Sequence, residues 1–419
     1  MSMRGEIITI GDELITGRVS DLNSYFLSGR VSSLGLRIEN ISSVGDDPER
    51  IIDALGRAVG RSEFVLVTGG LGPTDDDITT RVAAEFFGRP LLVNEPFLHA
   101  IQAYLAERSL PWLEAYGKMA LLPEGAELID PTEACGFYLL HGRVPVYFLP
   151  GVPEQVRLLA ETKVLPLLLS QSRELSVVRQ RVFKVFGLPE AKINQILSGL
   201  NQTSAGILIG YYPSFPENHV TVTVRAATAD QADLTLAGLE AEVEKRLGPH
   251  LIAKDEATLE ETVGRLLRAR GLTLAVAESC TGGLISHRLT SVSGSSDYFD
   301  RGLVVYGNRA KIELLGVPAE IIETKGAVSP EAAEYMARGA RERSGTDLGL
   351  ASTGIAGPTG GTPDKPVGTV YLALAAANGL GVRPLRFHGR RDQITILTAQ
   401  TALSWLRSYL LDDTFLHGH

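Results

Sequence analysis

Twice in this chain a short, wholly apolar run breaks off at a small or polar corner and a helical pattern follows: "FVLVTGG" at 64–70 and "AVAESCTGG" at 275–283. A run of this length without alternation suits a strand buried on both faces, and such strands belong to sheets covered by helices on both sides. The pattern extends outward from each run. EIITIG is a strand, Leu22, Phe26, Leu27, Val31 and Leu34 recur at helical spacing, 97–105 is helical, and VYFLPGVPEQVRLLA reads strand, turn, helix. Farther on, LTLAVAES, RGLVVYG, LGLASTG and GTVYLALAAA are strands, with helices fitting at 256–270, 282–289, 330–343 and 392–411. The expected fold class is therefore α/β, with one α/β domain at each end of the chain.

Between 171 and 252 the character changes. VVRQRVFKVFG, GILIGYYPSFPENHVTVTVRA and QADLTLAGLEAEVEKRLG give the order strand, helix, strands, helix, a small α+β module of KH-type layout. It has no GxxG loop flanked by basic residues, the device with which that layout clamps nucleic acid, so the expectation is a spacer or a dimerisation module. Gly248 and Pro249 mark the next boundary. Domains are expected at 1–170, 171–252 and 256–413, since 419 residues exceed what one core usually supports. A net charge of -9 argues against direct nucleic-acid binding. Cys135 and Cys280 match no metal spacing and fit a reducing cytoplasm, and no apolar run reaches membrane-spanning length. The start passes into a strand without a signal core, and His417 and His419 read as a frayed tail.

The corner Glu278-Ser279-Cys280-Thr281 admits two readings. A Ser or Cys between strand and helix can combine a nucleophile with helix-start N–H donors, and Gly282 and Gly283 would let a substrate approach closely. The same residues also make an ordinary helix cap. Tyr306 and Lys311 in VVYGNRAK favour chemistry, because a lysine can activate a serine without histidine. The chain uses nine lysines against 31 arginines, so a lysine here points to a group whose pKa can be tuned. The alternative is a solvated helix position. The tyrosine–lysine spacing is one residue too long for YxxxK, and no SxxK pattern is present. A glycine-rich loop at 354–361 is able to cradle phosphate or merely to turn the chain; Arg390 and Arg391 would anchor a phosphate or carboxylate, or form a surface pair.

In the first segment, VTGGLGPTDDDITT sets Asp75, Asp76 and Asp77 before a helix. Capping and the macrodipole account for one of them, whereas three repelling carboxylates become favourable beside a hard cation. Asp12 and Glu13 in TIGDELITG and Asp46 and Asp47 in SVGDDPERI follow probable strand ends, which on an open α/β sheet line one crevice. Asp12, Asp75 and Asp76 are the metal ligands inferred on this basis.

The motifs AESCTGG, YGNRAK, TGIAGPTGG and KPVGTV, in that order, resemble the nicotinamide mononucleotide deamidase domain of the CinA family. GGLGPTDDDIT, VGDDPERI and PGVPE resemble the three-layer molybdopterin-binding domain of the MogA and MoeA type, and GDELITGRVSDLNSYFLSGRVSSLG is its CinA version. The resemblance implies Ser279 as nucleophile, with Tyr306 and Lys311 assisting, and Thr281, Gly282, Gly283, Asn308, Thr353, Gly354, Gly357 and Arg391 around the substrate. Arg390 stands where that pattern expects an acid; Cys280 is left as packing, and Glu278 either orients Lys311 or accepts backbone bonds. The implied reaction releases ammonia from nicotinamide mononucleotide to give nicotinate mononucleotide, with no cofactor. For the first domain the resemblance implies hydrolysis of ADP-ribose to AMP and ribose 5-phosphate with a divalent cation (Mg, Mn or Co). Asp46 and Asp77 are then catalytic, and Gly69, Gly70, Gly72 and Thr74 bind substrate. A homodimer in the cytoplasm, with no membrane contact, is expected. Two alternatives stand beside this: a molybdopterin- or nucleotide-binding first domain, and a competence accessory that meets recombination proteins as partners.

Overall fold

The computed structural model describes residues 3–130, 136–171, 177–200 and 206–416; Cys135, His417 and His419 lie outside them. Two compact units emerge, the first made of the residues up to Gln180 with Val224–Thr235, the second of Arg181–Thr223 with Leu236 onward.

The first unit is built on a six-stranded sheet in the order Arg37–Val44, Arg4–Ile10, Phe64–Thr68, Val144–Leu149, Phe137–His141, Glu127–Leu128. The first four strands run parallel and the last two antiparallel. Residues alternate between two cores. Ile8, Ile10, Val65, Val67, Val146 and Phe148 pack with Ile51, Leu55, Val82 and Phe97 on one face. On the other, Ile7, Phe64, Leu66, Tyr147 and Leu149 pack with Leu27, Val31, Val156 and Leu159. This is a three-layer α/β/α arrangement, and it explains why Phe64–Thr68 carries no polar alternation: every residue of it is buried. Because Arg4–Ile10 lies between two parallel neighbours, the loops after Ile10, Val44 and Thr68 all leave from one edge.

The middle module forms a four-stranded sheet in the order Ile207–Ser214, Glu217–Ala226, Val177–Val185, Leu251–Lys254, with the helix Ala229–Leu247. The stretch after the boundary read at Gly248 and Pro249 contains the last of these strands, antiparallel to Val177–Val185 with Lys254 opposite Phe183. Four residues carry too little pattern of their own; their pairing partner lies about seventy positions earlier.

The C-terminal sheet runs Phe299–Val304, Leu274–Glu278, Leu348–Gly354, Thr369–Ala376, Gly379–Arg386, with the first three parallel and the last two antiparallel. Its two faces differ in size of side chain. Leu274, Val276, Leu350, Leu372 and Leu374 meet the helices Leu259–Arg270 and Arg391–Leu411. The opposite face offers Ala275, Ala277, Ala351, Ala373 and Ala375, against which Pro330–Ser344 lies close through Ala333, Met336, Ala337 and Ala340. The approach is tight enough that a Cβ at Gly349 would fall 2.2 Å from the Ala337 carbonyl oxygen. Among the described residues no helix is long and apolar enough to cross a membrane.

Candidate functional site

Leu274–Glu278 ends at the corner, and the chain enters the helix Leu284–Thr290 only after Gly283, whose φ of 100° no ordinary side chain tolerates well. Glu278 is fully buried and governs this turn. Its carboxylate accepts from the amides of Gly283 and Ile285 at 3.0 Å each, and from the amide and hydroxyl of Ser286 at 2.8 and 2.6 Å. Of its two expected roles, accepting bonds at the turn is therefore the one it fills; it does not orient Lys311. An anion at a helix start is stabilised by the same unpaired N–H groups that would bind a substrate anion. The Gly283 amide is thus spent internally, and the Gly282 amide donates to the Ser279 carbonyl at 3.2 Å. Gly282, Gly283 and Thr281 shape the corner without lining the pocket, and Thr281 Oγ1 pairs with Ser352 Oγ at 2.7 Å.

Lys311 reaches the corner from the helix Asn308–Leu315, which turns Lys311 and Leu315, four residues apart, inward. Its side chain is 1% exposed, so the solvated-helix alternative does not hold. Nζ lies 3.0 Å from Ser279 Oγ, 2.7 Å from the Val305 carbonyl oxygen and 3.0 Å from that of Tyr306. Burial holds its pKa below the ordinary lysine value. No cationic neighbour contributes to that shift. A neutral amine has two N–H donors and one lone pair. In that neutral state the two carbonyls would take the donors and the lone pair would face the Ser279 hydroxyl, whereas as an ammonium Nζ donates to all three oxygens.

Tyr306 lines the same pocket as Ser279 and Lys311. Its main chain holds Lys311, while its phenol, 60% exposed, accepts from Arg391 Nη2 at 2.7 Å. Arg391 also donates to the Gly357 carbonyl at 2.7 Å, so Gly357 anchors the arginine rather than facing the cavity. A pocket of about 210 Å³ gathers Ser279, Tyr306, Asn308, Lys311, Thr353, Gly354 and Arg391, as the motifs implied, together with Cys280, Ala327, Val328 and Ala356. The last three carry no chemical signal in sequence. Ala327 and Val328 are fixed by two tethers: Thr353 Oγ1 donates to the Ala327 carbonyl at 2.7 Å, and Lys365 Nζ donates to the carbonyls of Lys325 and Val328 at 2.6 and 2.8 Å. Burial first pushes the Cys280 thiol up to about 12, which keeps it protonated and poorly nucleophilic. Arg390 pairs with Asp392 at 3.0 Å on the surface.

In the first unit Asp12 and Asp46 grip each other's main chain: the Asp12 amide donates to Asp46 Oδ2 at 2.9 Å and the Asp46 amide to Asp12 Oδ1 at 3.2 Å. Burial pushes the Asp46 carboxyl up, as do the charges of Asp12, Glu13 and Asp76, against the Asp12 amide bond that lowers it. Those loops thus converge. Among the described residues no group of three or more His, Cys, Asp or Glu side chains is arranged to hold a metal ion. The expected trio of Asp12, Asp75 and Asp76 is accordingly no ready-made cage. Asp77 turns back on its own loop, accepting from the Thr74 amide at 2.9 Å and hydroxyl at 2.5 Å, with Gly72 packed against it. Thr74 is thereby held by Asp77, and its carbonyl also accepts from Lys118. Gly69 and Gly70 let the loop cross the strand ends: a Cβ at Gly69 would sit 2.1 Å from the Ile10 carbonyl oxygen, and Gly70 accepts from the Thr79 amide at 3.1 Å. Lys118 and Asn23, whose amide donates to Thr68 Oγ1 and the Gly151 carbonyl, join this edge from distant sequence positions.

Residues 256–410 match the family model described as "CinA C-terminal domain", 6–170 that described as "Probable molybdopterin binding domain", and 180–253 that described as "Damage-inducible protein CinA KH domain". A CinA-like protein of Geobacter sulfurreducens is 47% identical over 411 residues, spanning 98% of this chain and 100% of the relative. One of Dictyoglomus thermophilum is 42% identical over 412 residues, with the same coverage. The solved competence/damage inducible protein CihA of Agrobacterium tumefaciens is 45% identical, with a TM-score of 0.35, covering 36% of this chain and 95% of its own.

Proposed function

The chain belongs to the CinA family, with a molybdopterin-binding-like N-terminal domain, and on that premise we propose that it is a bifunctional enzyme of pyridine-nucleotide salvage. Its C-terminal site deamidates nicotinamide mononucleotide, and its N-terminal site hydrolyses ADP-ribose. One observation carries the first half: the buried Lys311 Nζ, 3.0 Å from Ser279 Oγ, with two carbonyls occupying its N–H donors.

In this reading neutral Lys311 takes the Ser279 proton as Oγ attacks the carboxamide carbon. The tetrahedral oxyanion is met by the amide of Cys280, which lines the pocket, since those of Gly282 and Gly283 are engaged. Collapse breaks the C–N bond, and the proton on Lys311 leaves with ammonia. Water, deprotonated by the same amine, then hydrolyses the acyl-serine to the carboxylate and restores Ser279. Arg391, held by Gly357 and Tyr306, places a cation at the pocket for the substrate phosphate. Incubation with nicotinamide mononucleotide, following ammonia, tests the assignment; a chain that releases none is not a deamidase.

For the first unit, a hard cation that takes one or two carboxylates and fills its shell with water and phosphate oxygens suits Asp46 with Asp12 or Asp76. Bound there, it would offset phosphate charge and activate water. Asp77 then acts by holding Thr74 in the loop. A second reading, a nucleotide- or molybdopterin-binding module without turnover, is favoured by the want of a ready-made three-ligand set among the described residues. AMP release from ADP-ribose with Mg, Mn or Co decides between them: turnover under any of the three supports hydrolysis, and binding without turnover supports the module.

A further inference from the structure

The second unit contains another pocket, of about 450 Å³, enclosed by the strand Leu251–Lys254 and the helices Leu259–Arg270 and Arg391–Leu411. It shares no lining residue with the Ser279 pocket. Leu251, Ile252, Ala253 and Ala257 give it an apolar wall, and Arg265 and Arg407 face it as cations. Arg407 is drawn largely out of water: burial, and then the nearby charge of Arg265, lower its pKa. One of its nitrogens reaches the Pro249 carbonyl at 3.3 Å, while Nε is buried with no acceptor.

The other charged groups of this pocket are already committed. Lys254 Nζ lies 2.6 Å from both Glu240 and Glu244, and the Glu261 carboxylate accepts the Thr258 amide at 2.8 Å in a helix cap. Other arginines of the same unit have compensation: Arg288 pairs with Glu260, Arg270 with Asp413, and Arg383 lies over the Trp405 ring. Among the described residues neither guanidinium has an ion-pair partner, and at the apolar wall the half-buried Arg407 beside the exposed Arg265 forms an arrangement that an anion from solution would relieve. Paired guanidinium forks match the geometry of phosphate oxygens.

We propose that the Arg265–Arg407 pocket binds a phosphate-class oxyanion, either free phosphate or the phosphate end of a small organic molecule whose body lies on the Leu251–Ala253 wall. The test is isothermal titration of the full chain at constant ionic strength with inorganic phosphate and, separately, with ribose 5-phosphate, comparing wild type with Arg265→Gln and Arg407→Gln. The difference between variant and wild type isolates this pocket from other phosphate-binding surfaces. Arg265 is exposed, so its variant stays informative if the Arg407 variant misfolds. The expected result is binding weakened about tenfold in Arg265→Gln, the loss of roughly one charge-assisted contact, with ammonia release unchanged. Tighter binding of ribose 5-phosphate identifies an organic phosphate as the ligand, and equal binding identifies free phosphate. Wild-type affinity for both probes in Arg265→Gln, or no saturable binding by wild type, overturns the proposal.

Discussion

Ser279 and Cys280 are neighbours with opposite chemistry, and the difference is one of surroundings. Ser279 faces the Lys311 amine, whereas Cys280 packs into the core with a thiol pushed up to about 12. Ser279→Ala is therefore expected to abolish ammonia release from nicotinamide mononucleotide, while Cys280→Ala retains most of it; a fully active Ser279→Ala removes the assignment. Lys311 must be neutral to accept the proton, and its folded pKa lies below the ordinary lysine value. The neutral fraction grows as pH rises through that lowered pKa, so kcat/KM should climb on the acidic side and level off before the ordinary lysine range is reached. Lys311→Arg, which stays charged throughout, should lose both the activity and the limb. A wild-type profile with no rising limb anywhere below the ordinary lysine range would refute a titrating Lys311.

Among the elements, the helix Leu284–Thr290 depends on one residue outside it. Seven residues long, it has little stability of its own, and Glu278 binds three of the amides at its start. Glu278→Ala leaves those donors buried and unpaired, so we expect a loss of about 3 kcal/mol or more in urea unfolding, together with loss of ammonia release. Glu278→Gln, which keeps an acceptor but not the charge, should fall between the two. Comparable stability in the alanine variant would show the turn to be held by packing alone. The loop at Thr74 is built on a like principle: Asp77 satisfies its amide and hydroxyl, which makes this carboxylate a brace rather than a free ligand. The resemblance implied a catalytic Asp77, but a motif position does not say which way the carboxylate turns, and here it faces Thr74.

At the scale of the whole chain, the two proposed sites draw on separate residues in separate compact units. Asp46→Asn should therefore reduce AMP release from ADP-ribose and leave ammonia release intact, and Ser279→Ala the reverse; loss of both activities in either variant would contradict two independent sites. Much of this was legible in the residues themselves. Apolar runs ending in glycine, helical spacing and the pairing of Ser279 with Lys311 across two motifs point to buried strands, covering helices and an active corner, because periodicity and local sterics are written within a few residues of each position. Other features were decided only when distant elements met. The strand Leu251–Lys254 exists through its pairing with Val177–Val185; Ala327 and Val328 line a pocket because Thr353 and Lys365 hold their carbonyls; and Arg407, among the described residues, lies half-buried beside the charge of Arg265 with no ion-pair partner. Which hydrogen bonds a buried charge receives depends on the positions of groups far away in sequence. The chain alone therefore determined the folds of its segments and the residue types of its candidate catalytic corner, while tertiary packing decided which of those groups are already engaged in hydrogen bonds.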